Sequence, residues 1–158
     1  MKKVMFILIA VICYLNGCGQ SNVIIPLGNS VLSKNSFSFA ERAFSANHMT
    51  LSLQSPTRGS FLEGQGDFSL MATVDASNNG TIKEVSFLCG AMYWMGLEEE
   101  LSTIDYKLIK SGKTTLGNGA SVPQKIYSNG VKRCYVRTLD NSMLQILFKR
   151  QVTQSKKK

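Results

Sequence analysis

The chain has 158 residues, is 44% hydrophobic and carries a formal net charge of +8. That length allows one domain, and the apolar content is enough for one real core. Past residue 15 there is no second long apolar run, which excludes a multi-span helical membrane protein.

The amino terminus reads Met1-Lys2-Lys3, then runs almost purely apolar from Val4 to Leu15, then gives Asn16-Gly17-Cys18-Gly19. A short basic head before such a stretch is the layout of a secretory signal peptide. As a membrane span it falls short of the roughly 20 residues that cross hydrocarbon. Ordinary cleavage after Gly17 would put bulky Leu15 where a small residue is wanted. Leu15-Asn16-Gly17-Cys18 instead resembles the lipobox of bacterial lipoproteins, an aliphatic residue and one or two small ones before cysteine, with Asn16 departing from the usual choice. The resemblance covers these four residues and the leader. It implies cleavage before Cys18, a diacylglyceryl thioether on Cys18, and residence at the cell envelope, in the outer membrane facing the periplasm. Two or more acyl chains anchor stably, at about 0.8 kcal/mol per buried methylene. Losing Lys2 and Lys3 with the leader leaves 16 Lys and Arg against 10 Asp and Glu, a charge of +6.

On that reading Cys13 leaves with the leader and Cys18 carries lipid, so Cys89 and Cys134 remain as a pair. In an oxidising compartment they are expected as a disulfide, worth about 4 kcal/mol on the chain-entropy estimate. No CxxC and no Cys/His cluster occurs, so no zinc site, redox motif or other cofactor is indicated.

From Gly19 to Ser36 the polar residues and Pro26 suit a tether, although Val23-Ile24-Ile25-Pro26-Leu27 could also dock on the domain or pair as an edge strand. Ser38-Phe39-Ala40-Glu41 has capping-box spacing for a short helix toward Ala46, while Phe37 and Phe39 alternate with serines in strand fashion. Both readings stand. Met49, Leu51 and Leu53 alternate with polar residues as a half-buried strand that ends at Ser55-Pro56. Asp67 to Val74 and Ile82 to Leu88 flank Ser77-Asn78-Asn79-Gly80, a hairpin whose Asn-Gly supplies positive φ. Leu97, Leu101, Ile104 and Leu108 form one helical stripe, with Glu98, Glu99 and Glu100 at its start, Lys107 and Lys110 at its end, and Gly112 as a stop. Lys125-Ile126-Tyr127, Val131 to Leu139 and Met143 to Val152 follow, separated by Asn129-Gly130 and Asp140-Asn141-Ser142, as a three-stranded meander.

The expected fold class is α+β: an antiparallel sheet built from a hairpin, a helix and a three-stranded meander, with one principal helix packed on one face. The expected organisation is a lipoprotein signal peptide 1–17, a lipid anchor and tether 18–47, a single α+β domain 48–152 and a basic tail 153–158.

Several motifs carry chemistry weakly. Ser111-Gly112-Lys113-Thr114 resembles the tail of a phosphate-binding P-loop, but Lys107 stands where that motif needs glycine, so no nucleotide is expected. His48, the single histidine, could serve a small envelope hydrolase, yet no Gly-x-Ser-x-Gly elbow accompanies it. Glu98, Glu99 and Glu100 point in different directions on a helix and do not converge on an ion. Met92-Tyr93-Trp94-Met95 reads as core, with a small-ligand carrier as the alternative.

The charge distribution says more. Eight of the ten acids lie between Phe61 and Asp105, beside Lys83 alone, whereas twelve bases follow Tyr106 beside Asp140 alone. Such asymmetry points to an anionic envelope polymer, lipid or protein partner. Nucleic acid would suit the same chemistry, but export makes that partner less available. If Cys134 and Val136 face inward, Arg133, Tyr135 and Arg137 face outward, and Lys125, Tyr127 and Lys149 are expected beside them. The sequence thus points to a non-enzymatic, lipid-anchored binding protein using this basic, aromatic sheet face.

Overall fold

A computed structural model describes residues 21–34, 36–63, 70–94 and 96–151. The leader, Cys18 and the tail 153–158 lie outside the described residues.

The chain is mostly β. Two helices come first, α1 (Ser21–Val31) and α2 (Phe37–Ser45), followed by strands β1 (Thr50–Ser55), β2 (Arg58–Glu63), β3 (Leu70–Ala76) and β4 (Ile82–Gly90). A 3₁₀ turn (Ala91–Trp94) and a short helix α3 (Leu97–Thr103) then carry the chain to β5 (Lys107–Thr115), β6 (Ser121–Ser128), β7 (Lys132–Thr138) and β8 (Met143–Arg150). All eight strands join one sheet in the order β1-β2-β3-β4-β8-β7-β6-β5. Every neighbouring pair is antiparallel. Two four-stranded meanders therefore meet at a central seam, where β4 lies beside β8.

The hairpins stand where the turn chemistry placed them. Gly80 and Gly130 take φ of 80° and 87°, the left-handed angles that the two Asn-Gly turns require. Asp140 Oδ1 accepts the backbone N–H groups of Ser142 (2.7 Å) and Met143 (2.8 Å) to close the last turn. The short-helix reading of 38–46 holds as α2, although its N-cap is Ser36 rather than Ser38.

The helices cover one sheet face. An aromatic chain runs beneath them from Phe44 to Phe61 (4.6 Å between centroids), Phe87 (6.0 Å from Phe44), Phe148 (6.3 Å from Phe87) and Tyr106 (6.3 Å from Phe148). Offset and edge-on contacts of this kind add to the area they bury.

Residues 21–47 belong to the domain, correcting the tether expected at 18–47. Ile24, Ile25, Leu27, Val31 and Leu32 are buried at helical spacing, and burial of that stripe overrides the helix-breaking Pro26. Gly28 lets the backbone of α1 press on Phe148: a Cβ built there would sit 2.4 Å from the ring. The far end of α1 is gripped from the sheet. Lys132 Nζ donates to the Asn29 carbonyl (2.8 Å) and to Asn29 Oδ1 (2.9 Å), and Arg150 Nε donates to the Leu32 carbonyl (2.9 Å). Cations at the carboxyl end of a helix match its dipole and satisfy its last carbonyls.

The expected long helix from Leu97 is also corrected. It stops after Thr103, because Asp105 adopts φ 65° and the Tyr106 N–H reaches back to the Leu101 carbonyl (2.9 Å) while the Asp105 N–H reaches Ser102 (3.1 Å). That pair of bonds is a Schellman stop, with Asp in the place glycine usually fills. Tyr106 then buries its ring and the chain leaves as β5, so Leu108, the last member of the apolar stripe, is 52% exposed.

The expected Cys89–Cys134 disulfide is absent: both thiols are free and buried. Cys89 pairs with Leu144, Leu144 with Thr138, and Cys134 with Phe148. The two cysteines are thus two strands apart and four residues out of step. At ordinary sheet spacings their Cα atoms lie about 16 Å apart, against a limit of about 7 Å for a bridge. Burial pushes the Cys89 thiol up to about 12, and it pushes Cys134 up as well.

Candidate functional site

The six residues expected on one basic face are divided by the sheet. Directly paired residues share a face. Tyr127 pairs with buried Cys134, and Lys125 with buried Val136, so both point to the helix side. There Glu98 of α3 accepts from Lys125 Nζ (2.6 Å) and from the buried Tyr127 hydroxyl (2.5 Å). Those bonds from Lys125 and Tyr127 hold the Glu98 carboxyl below the usual range. Desolvation, and then the Glu98 hydrogen bond, raise the Tyr127 phenol. Lys125 and Tyr127 dock α3; they are not part of an outward surface.

Arg133, Tyr135, Arg137 and Lys149 do share the face away from the helices. One row across seven strands reads Arg58, Asp75, Glu84, Lys149, Arg133, Ser128, Lys107. Its first half is neutralised: Arg58 forks onto Asp75 (2.6 and 3.0 Å), and Lys149 meets Glu84 (2.7 Å). Its second half is not, because Arg133 stands directly beside Lys149, an unfavourable like-charge pair. Arg133 Nε is buried without an acceptor among the described residues. An unsatisfied buried donor costs about 1–3 kcal/mol, so this position holds a guanidinium at a disadvantage to the fold. Sequence reasoning named Arg133 but missed Lys107, which it had placed inside a helix.

Two residues further along β7, Arg137 is clamped by neutral amides. Its Nε donates to Gln124 Oε1 (2.8 Å) and its Nη1 to Gln145 Oε1 (3.0 Å). The clamp fixes the plane of the fork and leaves the charge uncompensated. Tyr135 lies between the two arginines, with Ile126 and Leu147 as its cross-strand neighbours.

A cleft of about 560 Å³ opens where this face meets the strand ends, lined by Asp105, Lys107, Ile109, Ser128, Asn129, Gly130, Arg133 and Gln151. Its floor is stiff. The Gly130 N–H donates to Ser128 Oγ (3.1 Å), and the N–H groups of Val131 and Lys132 donate to Asn129 Oδ1 (3.1 and 2.8 Å).

The hydrolase reading on His48 gains nothing from the geometry. His48 is exposed at φ 61°, the turning residue of a second Schellman stop in which the Met49 N–H reaches the Phe44 carbonyl (3.1 Å) and the His48 N–H reaches Ser45 (3.1 Å). Among the described residues no side chain hydrogen-bonds its ring. Tyr93 is buried, while Met95 and the side chains of Met92 and Trp94 lie outside the described residues. Among the described residues no group of three or more His, Cys, Asp or Glu side chains could hold a metal, and no helix is long and apolar enough to cross a membrane. Comparison with protein families, with curated proteins and with solved structures found no match for the chain.

Proposed function

We propose that the chain is a non-enzymatic, lipid-anchored protein of the bacterial cell envelope that captures an anionic envelope component on the sheet face away from its helices. The lipobox-like Leu15–Cys18 segment supports the anchor. The observation that carries the binding half is the pair Arg133 and Arg137, which flank Tyr135 on that face with no carboxylate on either among the described residues. The other cations of β6 to β8 are balanced by Glu98 and Glu84 or spent on the end of α1. An arginine fork held by neutral groups keeps both its charge and its planar geometry for a phosphate or carboxylate.

The anchor has a geometric consequence. Buried Ile24 follows Cys18 by six residues, and six residues reach at most about 21 Å. A lipid on Cys18 would hold the domain against the bilayer, within reach of headgroups and of polymers attached there.

The test reverses Arg133 and Arg137 to Glu and measures binding to envelope extract and to vesicles containing anionic lipid as salt is raised. Salt-sensitive binding that is lost in the double variant at unchanged melting temperature is the expected result, since exposed charges are screened over about 8 Å at physiological ionic strength. Binding indifferent to both salt and reversal refutes the reading.

A further inference from the structure

We infer that the cleft between the start of β5 and the β6–β7 turn is a subsite for a phosphate ester of a polyol or sugar. The inference rests on reading this sheet face as anion-binding, and narrows it to a ligand class. It does not depend on lipidation.

Two cations define one wall. Lys107 and Arg133 both pair with Ser128, one from each side, so their side chains leave the same row of the same face. Both line the cleft. No carboxylate contact takes up the Arg133 charge among the described residues, so it stands at the cleft for an incoming anion. A tetrahedral phosphoryl group offers several oxygens at once, enough for a guanidinium and an ammonium together.

The remaining lining residues select what the phosphate is attached to. Asp105 brings a carboxylate to the same cleft, which would repel a bare anion but accepts hydrogen bonds from hydroxyl groups. Gln151 adds an amide, and Ile109, 54% exposed, adds an apolar edge. Two cations together with hydroxyl acceptors suit a phosphorylated polyol better than inorganic phosphate. The volume, about 560 Å³, lies in the range of small-molecule sites.

The experiment titrates the full-length protein in non-ionic detergent with glycerol 1-phosphate and with inorganic phosphate. A parallel arm uses vesicles containing phosphatidylglycerol, with soluble glycerol 1-phosphate as competitor. Saturable binding of glycerol 1-phosphate, tighter than phosphate, is expected. Arg133→Gln should weaken it about tenfold, Lys107→Gln less, and Arg137→Gln should leave it within about twofold, because Arg137 does not line the cleft. Asp105→Asn keeps a residue tolerant of positive φ and should erase the preference for the ester over phosphate. Displacement of vesicles by the soluble ester identifies the membrane headgroup as a source; where the soluble ester saturates but vesicles stay bound through the lipid on Cys18, a free ester is the source. No saturable binding of either soluble probe, or binding that survives Arg133→Gln and Lys107→Gln in proteins that melt normally, overturns it. In that case vesicle capture lost on reversing Arg137 alone would leave the broader anion-binding face standing.

Discussion

Replacing Gly28 with alanine tests whether α1 is a docked helix or a tether. In a solvated helix the change is favourable, because alanine is about 1 kcal/mol better than glycine in a helix interior. In the structure the new methyl would meet Phe148 Cδ2 at 2.4 Å and Cε2 at 2.5 Å. The ring cannot swing away: Phe148 is fully buried, with Phe87 and Tyr106 each 6.3 Å from it, edge-on. α1 must instead lift by about 1 Å, loosening contacts along the stripe from Ile24 to Leu32 and lengthening the bonds from Lys132 and Arg150. Overpacking of this kind costs about 1–3 kcal/mol, so after the gain in propensity the net loss is up to about 2 kcal/mol. For a domain of this size that lowers the melting temperature by up to about 8 °C. Urea unfolding of Gly28→Ala, with and without Phe148→Leu, provides the assay. The smaller side chain makes room, so the two substitutions should be non-additive, with the double variant recovering part of the clash. A Gly28→Ala protein more stable than its parent refutes the docked helix.

Three further outcomes follow from particular contacts. Cys89 and Cys134 should resist alkylation in the native protein at neutral pH and react fully after denaturation without reductant; a linked pair of peptides in the non-reducing digest would contradict the register of β4, β8 and β7. His48→Gly should stabilise the protein by about 0.5–1 kcal/mol, because it relieves a non-glycine φ of 61° at an exposed helix stop; a loss of stability in urea would mean that the ring makes a contact of its own. Glu98→Gln should destabilise modestly at pH 7, by about 0.5 kcal/mol or less, because the Glu98 side chain is 51% exposed and solvent screens the pair. Since the folded carboxyl titrates below its unfolded value, the parent's advantage is complete above the unfolded value, near 4.3, and fades as pH falls through the folded one. Melting temperatures of the two proteins should therefore converge as the pH falls below the unfolded value, and a constant gap would place the effect elsewhere.

Local chemistry was legible in the sequence wherever it alone decides the backbone. The Asn-Gly turns at Gly80 and Gly130, the Asp140 turn and the strands around them needed no tertiary information. Pro26 and Gly28 disguised α1, because each disfavours a helix that survives only by burying Ile24 to Leu32 on the sheet. Asp105 concealed the end of α3, since an aspartate at positive φ leaves no mark that glycine would have left. Lys125 and Tyr127 were placed on the wrong face for a different reason. Parity within a strand sorts residues into two sets, but which set faces the core follows from the partner strand, and only the pairing of Tyr127 with Cys134 decides it. The cleft was illegible for the same reason, as Lys107 and Arg133 meet only through Ser128 between them.

The division of the sequence into an acidic and a basic part is partly spent in folding. β4 carries Glu84 to the seam, where it meets Lys149 of β8, and α3 carries Glu98 to Lys125 of β6. Lys132 and Arg150 hold the carboxyl end of α1 instead of a ligand. Apart from these two, among the described residues the cations of the basic half left without a carboxylate are Arg133 and Arg137 on the open face and Lys107, Lys110 and Lys113 along β5. Steric and electrostatic economy separates these from the rest. Lys149 costs the fold nothing, because its partner lies on the next strand, whereas Arg133 sits beside that lysine with a buried N–H and no acceptor. A neutral side chain there would remove both the like-charge contact and the orphaned donor. On stability alone Arg133→Gln should therefore be neutral or favourable, and urea unfolding of the variant against its parent measures which.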